Sequence, residues 1–422
     1  MATNPTMGGA PEAMARYRAV RALSRAIAEP LSDADSTIQP MPDASPAKWH
    51  LAHCSWFFET FVLRDHVSGY RLFDESWAYL FNSYYEGEGE RLPRARRGML
   101  SRPSLSEVLR YRDHVDSALA EALPDLGPEA LALVELGLNH EQQHQELMLM
   151  DMLATLAANP LLPAAWPARA SADAGEPPEM GWIEGKEGIV AIGHDGDGFA
   201  FDCEAPRHRV FLQRHALADR PVANRDWLGF IESGGYGDPR LWTSDGWDWV
   251  RSNGVEAPLY WQRGGSAWRR FGLDGLRSLD PSEPVCHISW FEADAFARWA
   301  GARLPSEAEW ESAASGLDPL GGNQLDSAGS VRPLAPPPGP GLRQMFGDLW
   351  EWTGSAFLPY PGFAAPAGTV GEYNGKFMIS QMVLRGGSCA TPRGHVRPSY
   401  RNFFFPHQRW MFSGLRLARD LK

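Results

Sequence analysis

Leu138-Asn139-His140-Glu141-Gln142-Gln143-His144-Gln145-Glu146 is the stretch on which the reading of this chain turns. Histidines four residues apart lie one helical turn apart on one face, which is how a helix offers two imidazoles to a single metal ion. The string also fits His-Glu-x-x-His, the zinc-protease pattern in which the glutamate is the general base. That chemistry needs a third ligand downstream. The next carboxylate after Asp151 is Asp173, in a stretch with no helical pattern, so the protease reading lacks its ligand.

Working outward, the helix carrying the pair opens after Gly127-Pro128 and sets Leu133, Leu136, His140, His144 and Leu147 on one side. Three helical segments precede it. One runs from about Pro11 to Pro30; a second opens with Ser45 as N-cap and Pro46 at the first helical position, then passes through Trp49, His53, Trp56 and Phe57. The third opens on the capping box Ser104-Leu-Ser-Glu107. Four amphipathic segments predict a four-helix bundle over residues 1–160 with its histidines inward. Residues 161–180, rich in Pro and Ala and without periodicity, read as a linker. From 181 to 422 glycines and prolines punctuate short apolar runs. Only Ser289 to Gly301 and Ser306 to Ala314 carry helix signals there, each opening Ser-x-x-Glu, so this half reads as a loop-rich α+β domain. Two domains also suit a chain of 422 residues, which exceeds what one core usually serves.

A metal needs more than two ligands, and His53 supplies a third from the inward face of the second helix. His50, three residues earlier, lies near the same face, and spacing does not separate the two. Three neutral imidazoles leave open positions on an octahedral ion for both dioxygen and a substrate, which favours iron(II). Imidazole equally suits zinc, whose three-histidine sites are hydrolytic or thiolate-activating. Gln143 could present an amide to a substrate, and Glu146 could orient an imidazole or face solvent.

Composition narrows the partners. A net charge of −12, with no basic run beyond Arg91 to Arg102, argues against nucleic acid and acidic membranes and for a small-molecule substrate. Cys54, Cys203, Cys286 and Cys389 are scattered without a Cys-x-x-Cys pair, which fits a reducing cytoplasm better than a disulfide framework. Met1 to Ala15 lacks a signal-peptide pattern, and the most apolar stretch, Leu147 to Trp166, is broken by Asp151, Asn159 and two prolines. Nothing in the pattern assigns an oligomeric state.

Several strings together resemble one family: Trp49-His-Leu-Ala-His53, Phe81-Asn-Ser-Tyr-Tyr85, Gly89-Glu-Arg-Leu-Pro-Arg94 and the His140 to Glu146 run in the first half. Arg303-Leu-Pro-Ser-Glu-Ala-Glu-Trp310, Gly347-Asp-Leu-Trp-Glu-Trp352, Leu384-Arg-Gly-Gly-Ser388 and Tyr400-Arg-Asn-Phe403 continue it in the second. The chain resembles the hercynine sulfoxide synthases of ergothioneine biosynthesis, non-haem iron enzymes. These join a DinB-like four-helix bundle to a formylglycine-generating-enzyme-like (C-type-lectin-like) α+β domain. The resemblance implies His53, His140 and His144 as Fe(II) ligands, O2 as co-substrate, and Gln143, Asn402 and Phe403 as the holders of hercynine, a trimethylated histidine. An aromatic wall suits its quaternary ammonium.

Members using γ-glutamylcysteine resemble one another in an Asp and an Arg where this chain has Phe404 and Gln408, so the resemblance favours free cysteine. Arg94 and Arg97 are then the carboxylate holders, because guanidinium forks bind carboxylates in bidentate fashion. A tyrosine is the expected proton donor: Tyr84 and Tyr85 resemble the tandem pair of the cysteine-using branch, with Tyr373 as the alternative. Leu92 and Ile379-Ser380 depart from that branch, which has His or Gln and Cys-Asn there. Ser380 is accordingly a candidate donor contact, and a selenosugar, the donor of the similar selenoneine synthases, is the alternative substrate. Two further alternatives are a zinc-dependent DinB-type thiol transferase and a non-catalytic binding module.

Overall fold

The computed structural model describes residues 10–168, 175, 177–196, 198–265, 267–366 and 374–422. Its first half is helical: α1 (Ala10–Ala28), α2 (Ala47–Phe58), the short α3 (Trp77–Phe81), α4 (Leu105–Ala122) and α5 (Pro128–Ala158). The four long helices are those the start signals point to. Ser104 and Glu107 close their capping box on α4, and Pro128 sits in the first turn of α5 after Gly127. At α2 the expected cap is displaced: Pro46 occupies the N-cap position. Ser45 faces inward instead, its N–H donating to Asp151 Oδ2 (2.7 Å) and its hydroxyl accepting from Arg97 (2.9 Å). Beyond Phe58, α2 continues into a π-helical turn, Glu59–Arg64.

Glu141 shows what holds the bundle. It accepts from Arg21 of α1 (2.9 Å), Arg112 of α4 (2.8 Å) and Ser24 (2.6 Å), all buried, so one carboxylate of α5 ties three helices. Burial alone would raise its pKa, but Arg112 and Arg21 outweigh that and hold it at about 2.

The second half begins with β1 (Trp182–Glu184), β2 (Gly188–Ile192), β3 (His208–Leu212) and β4 (His215–Ala218), followed by α6 (Asn224–Glu232) and α7 (Ser244–Asn253). Then come β5 (Trp261–Gly264), β6 (Ala267–Gly272), β7 (Gly275–Ser278), α8 (Trp290–Trp299) and α9 (Glu307–Ala314). The chain closes with β8 (Trp350–Ala356), β9 (Met382–Arg385), β10 (Asn402–Phe404), β11 (Ser413–Leu415) and β12 (Ala418–Asp420). Small sheets of order β1-β4-β12, β2-β3 and β5-β6-β7 surround a four-stranded one, β10-β9-β8-β11, in which β11 runs parallel to β8. Helices α8 and α9 start at the capping boxes of Ser289 and Ser306, as the sequence predicts. Helices α6 and α7 were not expected. The signal for α7 was present, since Thr243 caps its start and Gly254 ends it at φ 59°; α6 opens on Ala223, which has no capping oxygen.

Hydrogen bonds from α5 join the halves. Gln143 donates to Tyr400 (2.8 Å), Trp410 donates to Asp151 Oδ1 (2.9 Å), and Glu146 accepts from Trp350 (2.7 Å), Ser388 (2.6 Å) and Thr391 (2.6 Å). Glu146 thus neither orients an imidazole nor faces solvent; it is a buried bolt into the second half. Burial pushes its pKa up against the pull of its three donors. One apolar core runs from Tyr17 and Phe57 through Leu149 to Trp352 and Leu415, across both halves.

Two stability measurements check this account. Glu141→Ala leaves two guanidinium groups buried without their counter-charge and costs about 3–5 kcal/mol in urea denaturation at neutral pH. Because the folded pKa of Glu141, about 2, lies below its ordinary 4.5, its contribution is complete above pH 4.5 and is lost as the pH falls toward 2. Glu141→Gln flattens that part of the pH–stability curve. Separately, Glu146→Ala strands the three donors and lowers stability by about 3 kcal/mol, with loss of protection from hydrogen exchange concentrated around Trp350 and Thr391.

Candidate metal centre and cleft

His53, His140 and His144 are buried, and one ring nitrogen of each falls within 4.8 Å of the others. At His53 and His144 the hydrogen-bond partners fix which nitrogen is left to bind a metal. A carbonyl oxygen can only accept, so His53 Nδ1, 2.6 Å from Phe81 O, carries the proton and Nε2 presents a lone pair. Trp49 and Trp56 stack on either side of that ring, at 4.7 and 5.6 Å. At His144 the constraint comes from His50, whose Nε2 lies 3.0 Å from Asp151 Oδ2 and donates to it, leaving Nδ1 as an acceptor. His144 Nδ1, 2.8 Å away, is then the donor, and its Nε2 is bare. These tautomers follow from the partners and not from observed hydrogens. His140 Nε2 approaches His53 Nε2 to 3.2 Å.

Burial first, and then the neighbouring imidazoles, hold His53 and His144 well below the ordinary histidine range; burial brings His140 to about 4. All three are neutral donors near pH 7. Neutral, convergent, desolvated imidazoles without an acidic ligand fit a divalent transition metal, iron(II) among them, and do not fit calcium or magnesium. Glu141, the residue a zinc protease would use as its base, instead faces Arg21 and Arg112.

His53 and His144 open onto a cleft of about 210 Å³ between the halves. Tyr84, Arg94 and Arg97 wall it from the chain between α3 and α4, Gln143 from α5, and Asn402 and Phe403 from β10. Arg97 is 3% exposed, lies 3.3 Å over the Trp49 ring and donates to Ser45 (2.9 Å) and Ser83 (3.1 Å). Burial, with Arg94 nearby, pulls its pKa down to about 9. Arg94 donates to the Tyr84 hydroxyl (2.8 Å). Among the described residues no carboxylate pairs with either arginine, and both Nε atoms are buried without a hydrogen-bond partner. Phe403 stacks on Phe357 (4.0 Å) and Phe377 (5.9 Å), forming an aromatic wall.

The other named residues lie elsewhere. Tyr85 packs among Trp56, Phe57 and Phe61 and does not line the cleft. Ser380 is exposed, at φ 58°, also outside the lining, and Tyr373 lies outside the described residues. Sequence reasoning missed Asn374, Phe377 and Arg401 in the wall, and Asp151 and Trp410 behind His50. Asp151 had a signal, since it falls seven residues after His144 on the same helical face.

Comparison with known proteins matches two families, one in each half. Residues 16–148 match the DinB superfamily, and 168–329 with 322–421 match the sulfatase-modifying factor enzyme 1-like domain. The chain is 32% identical to the hercynine oxygenase of Mycobacterium tuberculosis, over 99% of this chain and 100% of that protein. It is 33% identical to the hercynine oxygenase of Mycolicibacterium thermoresistibile, over 92% of this chain and 90% of that protein. The formylglycine-generating enzyme of Streptomyces coelicolor is 32% identical over 46% of this chain and 73% of its own length.

Metal titration of the apo-protein tests the centre. His53→Ala, His140→Ala and His144→Ala each abolish tight cobalt(II) binding, followed by the visible absorption of the ion. Unchanged binding in any of the three would remove that residue from the ligand set.

Proposed function

The chain belongs to the hercynine oxygenase family and is an oxidoreductase, and from that premise we propose that it couples cysteine to hercynine, using iron(II) and O2. The balance is simple. Hercynine loses the hydrogen on the carbon between its imidazole nitrogens and the thiol loses its own. A C–S bond forms, one oxygen atom goes to sulfur as the sulfoxide, and the other leaves as water.

The observation that carries this reading is the pairing, across one cleft, of a buried three-histidine centre with two arginines that have no carboxylate partner among the described residues. Held by the Nε2 atoms of His53, His140 and His144, iron(II) would supply open positions for a thiolate and dioxygen and the redox chemistry between them. Arg97 and Arg94 then orient the donor's carboxylate. Gln143, its amide N–H given to Tyr400, and Asn402 line the same cleft and hold hercynine in this scheme. The aromatic face of Phe403 meets the trimethylammonium group. Tyr84 is the proton donor in this scheme, since its hydroxyl lies in the cleft against Arg94 while Tyr85 is packed among aromatic rings. Docking of the second half over the centre excludes water from the oxidising step.

A selenosugar has no carboxylate for Arg97, and Ser380, one of the departures that suggested it, is not in the cleft wall. The zinc transferase and the binding module leave the shared cleft without a task. No helix among the described residues is long and apolar enough to cross a membrane, and the four cysteines are free; a cytoplasmic enzyme is part of this proposal.

The test is anaerobic loading with Fe(II), hercynine and either cysteine or a selenosugar, then exposure to air and mass analysis. A hercynyl-cysteine sulfoxide that needs both iron and oxygen is expected. A product from the selenosugar alone would move the chain to selenoneine synthesis, and none dependent on oxygen would revive the zinc transferase. Arg97→Leu raises KM for cysteine about 10–100-fold, the loss of a charge-assisted contact, and leaves KM for hercynine within about twofold, because in this scheme Arg97 contacts the donor and not hercynine.

A further inference from the structure

His50 lies beside the metal centre yet uses both of its ring nitrogens inside the protein, one on Asp151 and one on His144. We infer that His50 and Asp151 are positioning residues: together they set the tautomer and ring plane of His144, and through Trp410 they make that setting depend on the docking of the second half. This rests on the metal-centre reading of the three histidines.

A neutral imidazole can present either nitrogen, and packing alone distinguishes them poorly because the two faces of the ring edge have nearly the same shape. At His144 a directional chain removes the choice. Asp151 Oδ2 accepts from the Ser45 N–H (2.7 Å) and from His50 Nε2 (3.0 Å), and Oδ1 accepts from Trp410 (2.9 Å). An anchored carboxylate forces the proton of His50 onto Nε2, which forces the proton of His144 onto Nδ1. Asp151, His50 and His144 are each at most 7% exposed, so no bulk water competes along the chain. Its members come from α5, α2 and the segment before β11. The ring of His144 is therefore correctly set only when the bundle is closed and the second half is seated. His53 has a local equivalent in Phe81 O, which belongs to the bundle, whereas His144 is oriented by way of the other half.

The experiment titrates apo-protein anaerobically with cobalt(II) and, against a competing chelator, with iron(II). His50→Phe keeps a ring but cuts both hydrogen bonds, and should weaken metal affinity about 10–100-fold, as loss of an outer partner of a ligating histidine does. The cobalt absorption bands should shift with it. His50→Gln, whose amide can donate to Asp151 and accept from His144, should recover part of both. Trp410→Phe should weaken affinity by roughly three- to tenfold, the equivalent of about 1 kcal/mol. A purely structural role would lower the melting temperature of these variants and leave metal affinity and spectrum unchanged. Wild-type affinity and spectrum in His50→Phe would overturn the inference; if that variant does not fold, the same result in Trp410→Phe overturns the coupling between the halves. Failure of the wild-type protein itself to bind cobalt(II) would instead sink the metal-centre reading.

Discussion

Helix α5 buries His140, Glu141, His144, Gln145, Glu146 and Asp151 within about three turns, a density of polar groups that is costly unless they find partners. The partners lie in three directions. Glu141 and Gln145 turn to α1 and α4, His140 and His144 to α2, and Gln143, Glu146 and Asp151 to the second half. The bundle, the metal centre and the docking of the halves are thus three solutions to one burial problem on one helix. A change on any of its faces leaves a polar group stranded.

The same helix keeps unlike electrostatics apart. On the bundle side, charge is buried but matched, with Glu141 between two guanidinium groups. At the centre the groups are buried and neutral, because desolvation costs an imidazolium more than any neighbour returns. Across the cleft the imbalance is reversed: Arg97 stays buried over Trp49 with hydroxyl partners but no carboxylate paired to it among the described residues. A site of lone pairs facing a site of unmatched positive charge is built for a ligand that brings a negative group and a metal-binding atom together, which an amino-acid thiolate does.

Much of this was legible in the chain, because the signals are local. Ser104, Ser289 and Ser306 each meet a glutamate three residues on, and those helices start there; the i, i+4 spacing of His140 and His144 needs only a helix to mean one face. The tie between His50 and His53 was not legible, since both lie inward and only the positions of Phe81 O and Asp151 assign them different tasks. Glu146 likewise reads equally as a support for an imidazole or as a surface residue until Trp350, Ser388 and Thr391, more than 200 residues later, are seen around it. Ser45 forgoes its cap because Asp151 and Arg97 offer stronger, buried partners. At Ser45 and Glu146 a contact distant in sequence overrides the local signal.

The central claim is that three Nε2 atoms on two helices hold the metal while His50 stands behind one of them. Anomalous diffraction at the iron edge, from crystals loaded anaerobically with Fe(II), tests it most directly. One peak within coordination distance of Nε2 of His53, His140 and His144, with His50 still bonded to Asp151, is the result predicted. A peak ligated by His50, or iron lying away from this trio, would contradict the account.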